Sequence, residues 1–194
     1  MLEINNFIYI PVARGIWANT PEVASEARRL VGATIFGLRA HEERSKNAGR
    51  MPVFPTLTSE VDAGDAELLI SEAAANVNRH TDATRIAVGL GVTADPSHPN
   101  QPGRLVMLTG DNQRPTKDLG PKTVTAIAES GRGLSILDRL TNGQWAFVQD
   151  ARIYPPHIPT GYYAPIAISA RAEVATGREN ATIIAGKALV SVIG

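Results

Sequence analysis

Apolar side chains recur at helical spacing through Val23, Ala27, Leu30, Val31 and Ile35, directly after Thr20 and Pro21. Threonine suits an N-cap and proline the first helical position, so this stretch predicts a helix from about Thr20 to a stop near Gly37. Residues 39–60 lose the period, carry charges together with Gly49, Pro52 and Pro55, and read as a surface connection. The helical period returns from Asp62 or Asp65 to Thr81, in a segment rich in alanine and leucine with an acidic first turn. Alternation then takes over. Ile86, Val88, Leu90 and Val92 are separated by small or polar residues, the pattern of a half-buried strand, and residues 105–109 supply another.

Shorter signals complete the outline. Residues 6–12 form a β-branched and aromatic run that Pro11 assigns to a sheet edge. Residues 94–103, with Pro96, Pro99, Pro102 and Gly103, read as a long hairpin tip. After a loop over 116–130, Gly131-Arg132-Gly133 opens an apolar helical stretch through Leu134, Ile136, Leu137 and Leu140. Residues 145–149 and 188–193 read as strands, and 150–185, with Pro155, Pro156, Pro159, Tyr162 and Tyr163, as an ordered excursion between them. Helices and strands in this mixed order predict an α+β fold.

Bulk properties narrow the setting. A chain of 194 residues can bury one core, or one domain with a sizeable insertion. Nineteen basic and nineteen acidic residues give no net field favouring nucleic acid or an anionic membrane. The absence of cysteine excludes disulfides, thiolate zinc sites and cysteine nucleophiles. No basic start precedes an apolar stretch, and no apolar run approaches the roughly 20 residues of a spanning helix, so a cytoplasmic location is the expectation.

Within the second helix, Glu72, Asn76 and His80 are spaced i, i+4, i+8 and form one polar line on an apolar rod. Other motifs fail on context. Gly89-Leu90-Gly91 follows a strand as a dinucleotide fingerprint would, but Pro96 and Pro99 forbid the helix that must receive a pyrophosphate. His41-Glu42-Glu43-Arg44 reads as a charged loop, and His98 and His157 sit in proline-rich loops, a setting that argues against a metal site.

Taken in order, Glu72-x-x-x-Asn76, then Asp111-Asn112-Gln113-Arg114-Pro115, then Gly131-x-Gly133-Leu134, the chain resembles the GHKL ATPases. It is most similar to the small bacterial anti-sigma-factor serine kinases, related to the ATP-binding domain of sensor histidine kinases. Residues 20–29 resemble that subfamily's first helix, 68–81 its N box, 131–140 its glycine box and following helix, and 186–190 its final strand. The resemblance covers 1–149 and about 186–193. It implies a single domain over 1–194 with an insertion at about 150–185, built as a two-layer α/β sandwich whose mixed, mostly antiparallel sheet is covered on one face by helices (the Bergerat fold).

The resemblance also assigns roles. Asn76 becomes the magnesium ligand, in keeping with a cation that takes oxygen donors and keeps several waters. Glu72 becomes the catalytic base for an attacking hydroxyl. Asp111 accepts a hydrogen bond from the exocyclic amine of adenine. Gly131, Arg132, Gly133 and Leu134 form the phosphate-side loop, where bare backbone amides and a helix start favour an anion. Residues 116–122 correspond to the family's lid, and Arg114, Lys117, Lys122 and Arg132 are candidate phosphate contacts. Two departures stand out: Gln113 and Pro115 occupy glycine positions of the adenine loop, and Ala188 stands where threonine is common, which removes one hydroxyl that the resemblance implies near the base.

Two functions of different class follow. One is an ATP- and Mg-dependent protein serine/threonine kinase that acts on an anti-sigma-factor antagonist and otherwise binds a sigma factor, a transcription regulator of the anti-sigma-factor type with room for a homodimer. The other is a non-catalytic protein-binding module of the same fold with weak or no ATP binding.

Overall fold

A computed structural model of the chain describes residues 9–52, 56–93, 98, 101–112, 133–153 and 183–194. Their elements are β1 (Tyr9–Ala18), α1 (Val23–Asn47), α2 (Ala63–His80), β2 (Arg85–Thr93), β3 (Leu105–Asp111), α3 (Gly133–Thr141), β4 (Trp145–Ile153) and β5 (Ile183–Ile193). The fold is α+β, as expected. The strands form one sheet in the order β1-β2-β3-β5-β4, and every neighbouring pair is antiparallel. The expected mixture of strand directions is therefore absent among these strands; the described parallel pairing is an isolated bridge between Leu57 and Gly103.

β1 is an edge strand, as Pro11 requires, and its register shifts between Pro11 and Ala13, where a residue without an amide hydrogen does least harm to a ladder. It nevertheless runs to Ala18, six residues past the expected end at Val12. Cross-strand partners explain this: Gly15, Ile16 and Trp17 pair with Val88, Ala87 and Ile86, a dependence that no local pattern records. Trp17 folds back over Gly15, where an added Cβ would stand 2.1 Å from the ring.

α1 departs from expectation at both ends. It begins at Val23 after a turn, with Glu22 rather than Thr20 at the N-cap. A hydrogen bond from the Thr20 side chain holds the Glu22 carboxyl below its usual range, so that hydroxyl serves a neighbour instead of the helix. At the other end α1 continues ten residues past Gly37, taking in much of what read as a surface connection, including the supposed loop at His41–Arg44. His41 and Ser45 are polar but buried, and they prolong the inward face of Leu30, Thr34 and Leu38. Glu42 and Lys46 pair one turn apart, and Gly49, at φ +63°, provides the left-handed exit.

α2 matches its expected span. Asp62 is an extended N-cap whose Oδ1 accepts the Asp65 amide at 2.9 Å, and Thr81 closes the helix through a hydroxyl bond to the Val77 carbonyl at 2.8 Å. α3 begins at Gly133 and is tied to β4 by Trp145 Nε1, which donates to Asp138 Oδ1 at 3.2 Å. No described helix is long and apolar enough to cross a membrane.

The helices lie on one face of the sheet, α1 against β1 and β2, α2 against β3, and α3 against β5 and β4. Ile86, Val88, Leu90, Leu105 and Met107 point into that layer and meet Leu30, Val31, Ile35, Leu69 and Ile70. β2 read as half-buried, yet both of its faces are covered. Ala87, Val106, Leu108, Ala188 and Val190 form a second cluster on the opposite face with Ile153. The reason is the length of the β4–β5 hairpin. Its pairing extends to Ile153↔Ile183, past Asp111↔Lys187 where β3 ends, and Ile153 packs on Gly89 of β2. Both ends of the expected insertion are thus strand; residues 154–182, including Tyr154, Tyr162 and Tyr163, lie outside the described residues.

Two outcomes follow from this packing. Replacing Gly15 by valine puts a side chain into the Trp17 ring and should lower stability by about 1–3 kcal/mol in urea unfolding. Burial, reinforced by the Arg44 charge, pushes His41 below the ordinary histidine range, so it stays neutral in the fold where the unfolded chain takes up a proton. Between that depressed value and about 6.5 the unfolded state binds more protons, so stability should fall as pH drops through the window and recover towards neutrality. His41→Gln should flatten that part of the stability–pH curve; an unchanged slope would assign it to other groups.

Candidate functional site

Glu72 and Asn76 sit on α2, both partly exposed. The helix has three distinguishable sides. Its core side carries Ala66, Ile70 and Ala74. The side towards α1 and β1 is marked by Ser71, whose Oγ accepts Arg28 Nη2 at 3.1 Å, by Glu67, whose carboxylate lies over Gly32, and by Asn78, whose Nδ2 donates to Asn19 Oδ1 at 2.9 Å. At 100° per residue, Glu72 and Asn76 turn away from both the core side and the α1 side, towards the outward part of the helix, while α3 packs elsewhere along α2.

Asp111 ends β3, the strand beneath α2, and is only 5% exposed. Strand alternation fixes its direction. Leu105 and Met107 face the helices, while Val106 and Leu108 face the other way, so Thr109 and Asp111 share the helix side. Asp111 pairs with Ile86, itself in the helix-side core, and with Lys187 of β5. Gly133 is the first residue of α3, at the end of that helix where unpaired amides gather. Glu72, Asn76, Asp111 and Gly133 therefore belong to adjoining elements of the helix side. Gly131, Arg132, Gln113, Pro115 and the expected lid lie outside the described residues, as does the side chain of Leu134.

One expectation changes. Ala188 pairs with Gly110 and belongs to the second cluster, on the face opposite Asp111. A hydroxyl at this position would point to the face opposite Asp111.

Three asparagines that carried no signal in sequence hold this end of the sheet together. Asn112 Oδ1 accepts the amides of Thr84 and Arg85, each at 3.0 Å, while its Nδ2 donates to Thr84 Oγ1 at 2.9 Å. Asn19 donates from its amide to the Thr84 carbonyl at 3.0 Å and from Nδ2 to the Ala83 carbonyl at 2.8 Å, and Asn78 binds Asn19 in turn. The connector from α2 to β2 is thereby tied to the ends of β1 and β3, one residue from Asp111 and two from Asn76. Partners up to 64 residues apart made the cluster illegible; the adjacency of Asn112 to Asp111 was the sole local hint.

Among the described residues, no group of three or more histidine, aspartate or glutamate side chains is gathered as a protein-only metal site would require. No protein-family model, curated protein or solved structure matches the chain. Asn112→Ala should free the Thr84 and Arg85 amides, which are near the surface, at a cost of about 1 kcal/mol, and speed their hydrogen exchange. Full retention of their protection would remove Asn112 from this role.

Proposed function

We propose that the chain is a Mg-ATP-binding regulator of the GHKL type, acting as a protein serine kinase on an anti-sigma-factor antagonist. The observation that carries this reading is the relation of α2 to β3: a carboxylate and a carboxamide one turn apart on a partly exposed side of the middle helix, which packs on a strand that ends in a buried, helix-facing aspartate. The residues suit such a ligand. Asp111 is acceptor-only when ionised, and burial makes it selective for a donor such as the adenine amino group. Asn76 offers one carboxamide oxygen, enough for a cation whose other ligands are phosphates and water. Bound Mg-ATP would supply an electrophilic terminal phosphate. Glu72, one turn before Asn76 on the same flank, accepts the proton of the acceptor serine. Gly133, with Gly131, Arg132 and Leu134 before and after it in the chain, offers backbone amides and a positive helix end to the phosphates.

A second reading, a partner-binding module of this fold without phosphotransfer, is favoured by Gln113 and Pro115, which stand where the family keeps glycines around adenine. Calorimetric titration with Mg-ATP separates the two. Wild type should release heat, and Asp111→Asn and Asn76→Ala should each weaken binding roughly 10–100-fold, the scale of a lost charged or metal-directed contact. Glu72→Ala should bind nucleotide normally yet transfer no label from ATP to the partner. Wild type giving no heat sinks the nucleotide reading, and transfer by Glu72→Ala removes that residue as base.

A further inference from the structure

The turn between α3 and β4 is held in a conformation that few residues accept. Asn142, at φ +50°, is the one non-glycine residue with a left-handed backbone among the described residues, and Gly143 follows at φ +73°. Asparagine tolerates that region better than most. The Gly143 amide donates to the Asp138 carbonyl at 3.0 Å, the bond that closes a Schellman cap, and the Gln144 amide donates to the Thr141 carbonyl at 2.9 Å. Both sides of the turn are anchored. Thr141 Oγ1 donates to the Leu137 carbonyl at 2.7 Å, Arg104 Nη1 donates to Gln144 Oε1, and the Val192 amide donates to the Gln144 carbonyl at 3.0 Å.

Asn142 and Gly143 at the tip are exposed, and they are chemically matched. Asn-Gly occurs once in the chain; every other asparagine is followed by a residue whose side chain shields the next amide nitrogen. A Cβ added at Gly143 would meet nothing nearer than Asp138 Oδ1 at 3.7 Å, so the glycine is uncrowded. What holds its nitrogen back is the bond to Asp138. That bond closes a helix of nine residues, too short to be stable alone, and the last turn is where such a helix opens first.

We propose that Asn142 is a site of spontaneous deamidation, gated by opening of the Asp138–Gly143 bond, whose product loosens the end of α3. The Gly143 nitrogen bonds to Asn142 Cγ, the Cγ–Nδ2 bond breaks, and the amide proton leaves with Nδ2 as ammonia, giving a cyclic imide. Water then opens the ring at either carbonyl, to aspartate or isoaspartate, and the carboxyl proton passes to solvent. Nothing is oxidised or reduced. Either product places a negative charge at the C-terminal end of α3, in the turn beside the Asp138 carboxylate that accepts Trp145 Nε1. The helix dipole and that carboxylate both oppose it. Isoaspartate in addition lengthens the main chain by a methylene, which spoils the spacing of the cap. No nucleotide takes part in these steps.

Incubating the 194-residue chain at mildly alkaline pH, with peptide mass spectrometry and isoaspartate labelling by a protein isoaspartyl methyltransferase, tests this. Asn142 should convert ahead of the other described asparagines, and roughly two- to tenfold more slowly in the folded chain than in guanidinium, the scale of one hydrogen bond that has to open. Asn142→Asp isolates the effect of charge. In that variant the Gly143 and Gln144 amides should exchange about two- to fivefold faster than in the wild type. Asn142→Gly, which suits the left-handed turn, should keep those amides at least as protected as in the wild type, showing that the charge and not the lost side chain loosens the cap. A folded chain still unmodified at Asn142 long after the unfolded chain has converted fully would overturn the proposal. Equal rates in the two states, or Asn142→Asp amides that exchange as in the wild type, would do the same.

Discussion

The rest of the structure depends on the burial of β2 and β3 on both faces. Ile86, Val88, Leu90, Leu105 and Met107 fill the layer beneath the helices, and Ala87, Val106 and Leu108 are covered on the other side. Each large aliphatic side chain removed from water contributes on the order of 1.5–3 kcal/mol, so this pair of strands holds much of the burial that stabilises the fold. Glu72, Asn76 and Asp111 are attached to it, whereas Gly133 enters on α3, which packs against β5 and β4. Asp111 is the last residue of β3, and α2 enters β2 through the connector that the asparagines hold.

That attachment ties the helix carrying Glu72 and Asn76 to the strand that ends in Asp111. A buried carboxylate at a sheet end is costly unless its surroundings are polar and held in place. Here the neighbouring backbone is held by Asn112, Asn19 and Asn78 through neutral hydrogen bonds. Such preorganisation keeps the α2 flank and the strand end in one relation without a ligand to enforce it. The outer side of α1 is free of these demands. Its core side and its α2 side are committed, through Leu30 and Leu38 in one direction and Arg28, Gly32 and Arg39 in the other, and on the outer side Arg29 pairs with Glu26.

Where local chemistry decides, the sequence was legible. Asp62 caps α2 and Thr81 ends it because a side chain within three or four residues satisfies the terminal backbone groups. Alternation found β2 and β3 because a pleated strand places every second side chain in the core. Where burial is supplied by distant residues, legibility failed. His41 and Ser45 look like surface residues, yet they extend the inward face of α1. Ala87 and Gly89 look like an outward face, but their small size is what admits Ile153 from a hairpin more than sixty residues further on.

The amino-acid sequence by itself determined the α+β class, the limits of α2, the edge position of β1 and the one-turn spacing of Glu72 and Asn76, because helix and strand periods and caps act over a few residues. Tertiary structure decided that Asp111 faces the helices while Ala188 faces away, that α1 runs to Asn47, and that three asparagines from separate elements meet at one connector. Those outcomes turn on strand register and on which element covers which face, and both are set by partners far away along the chain.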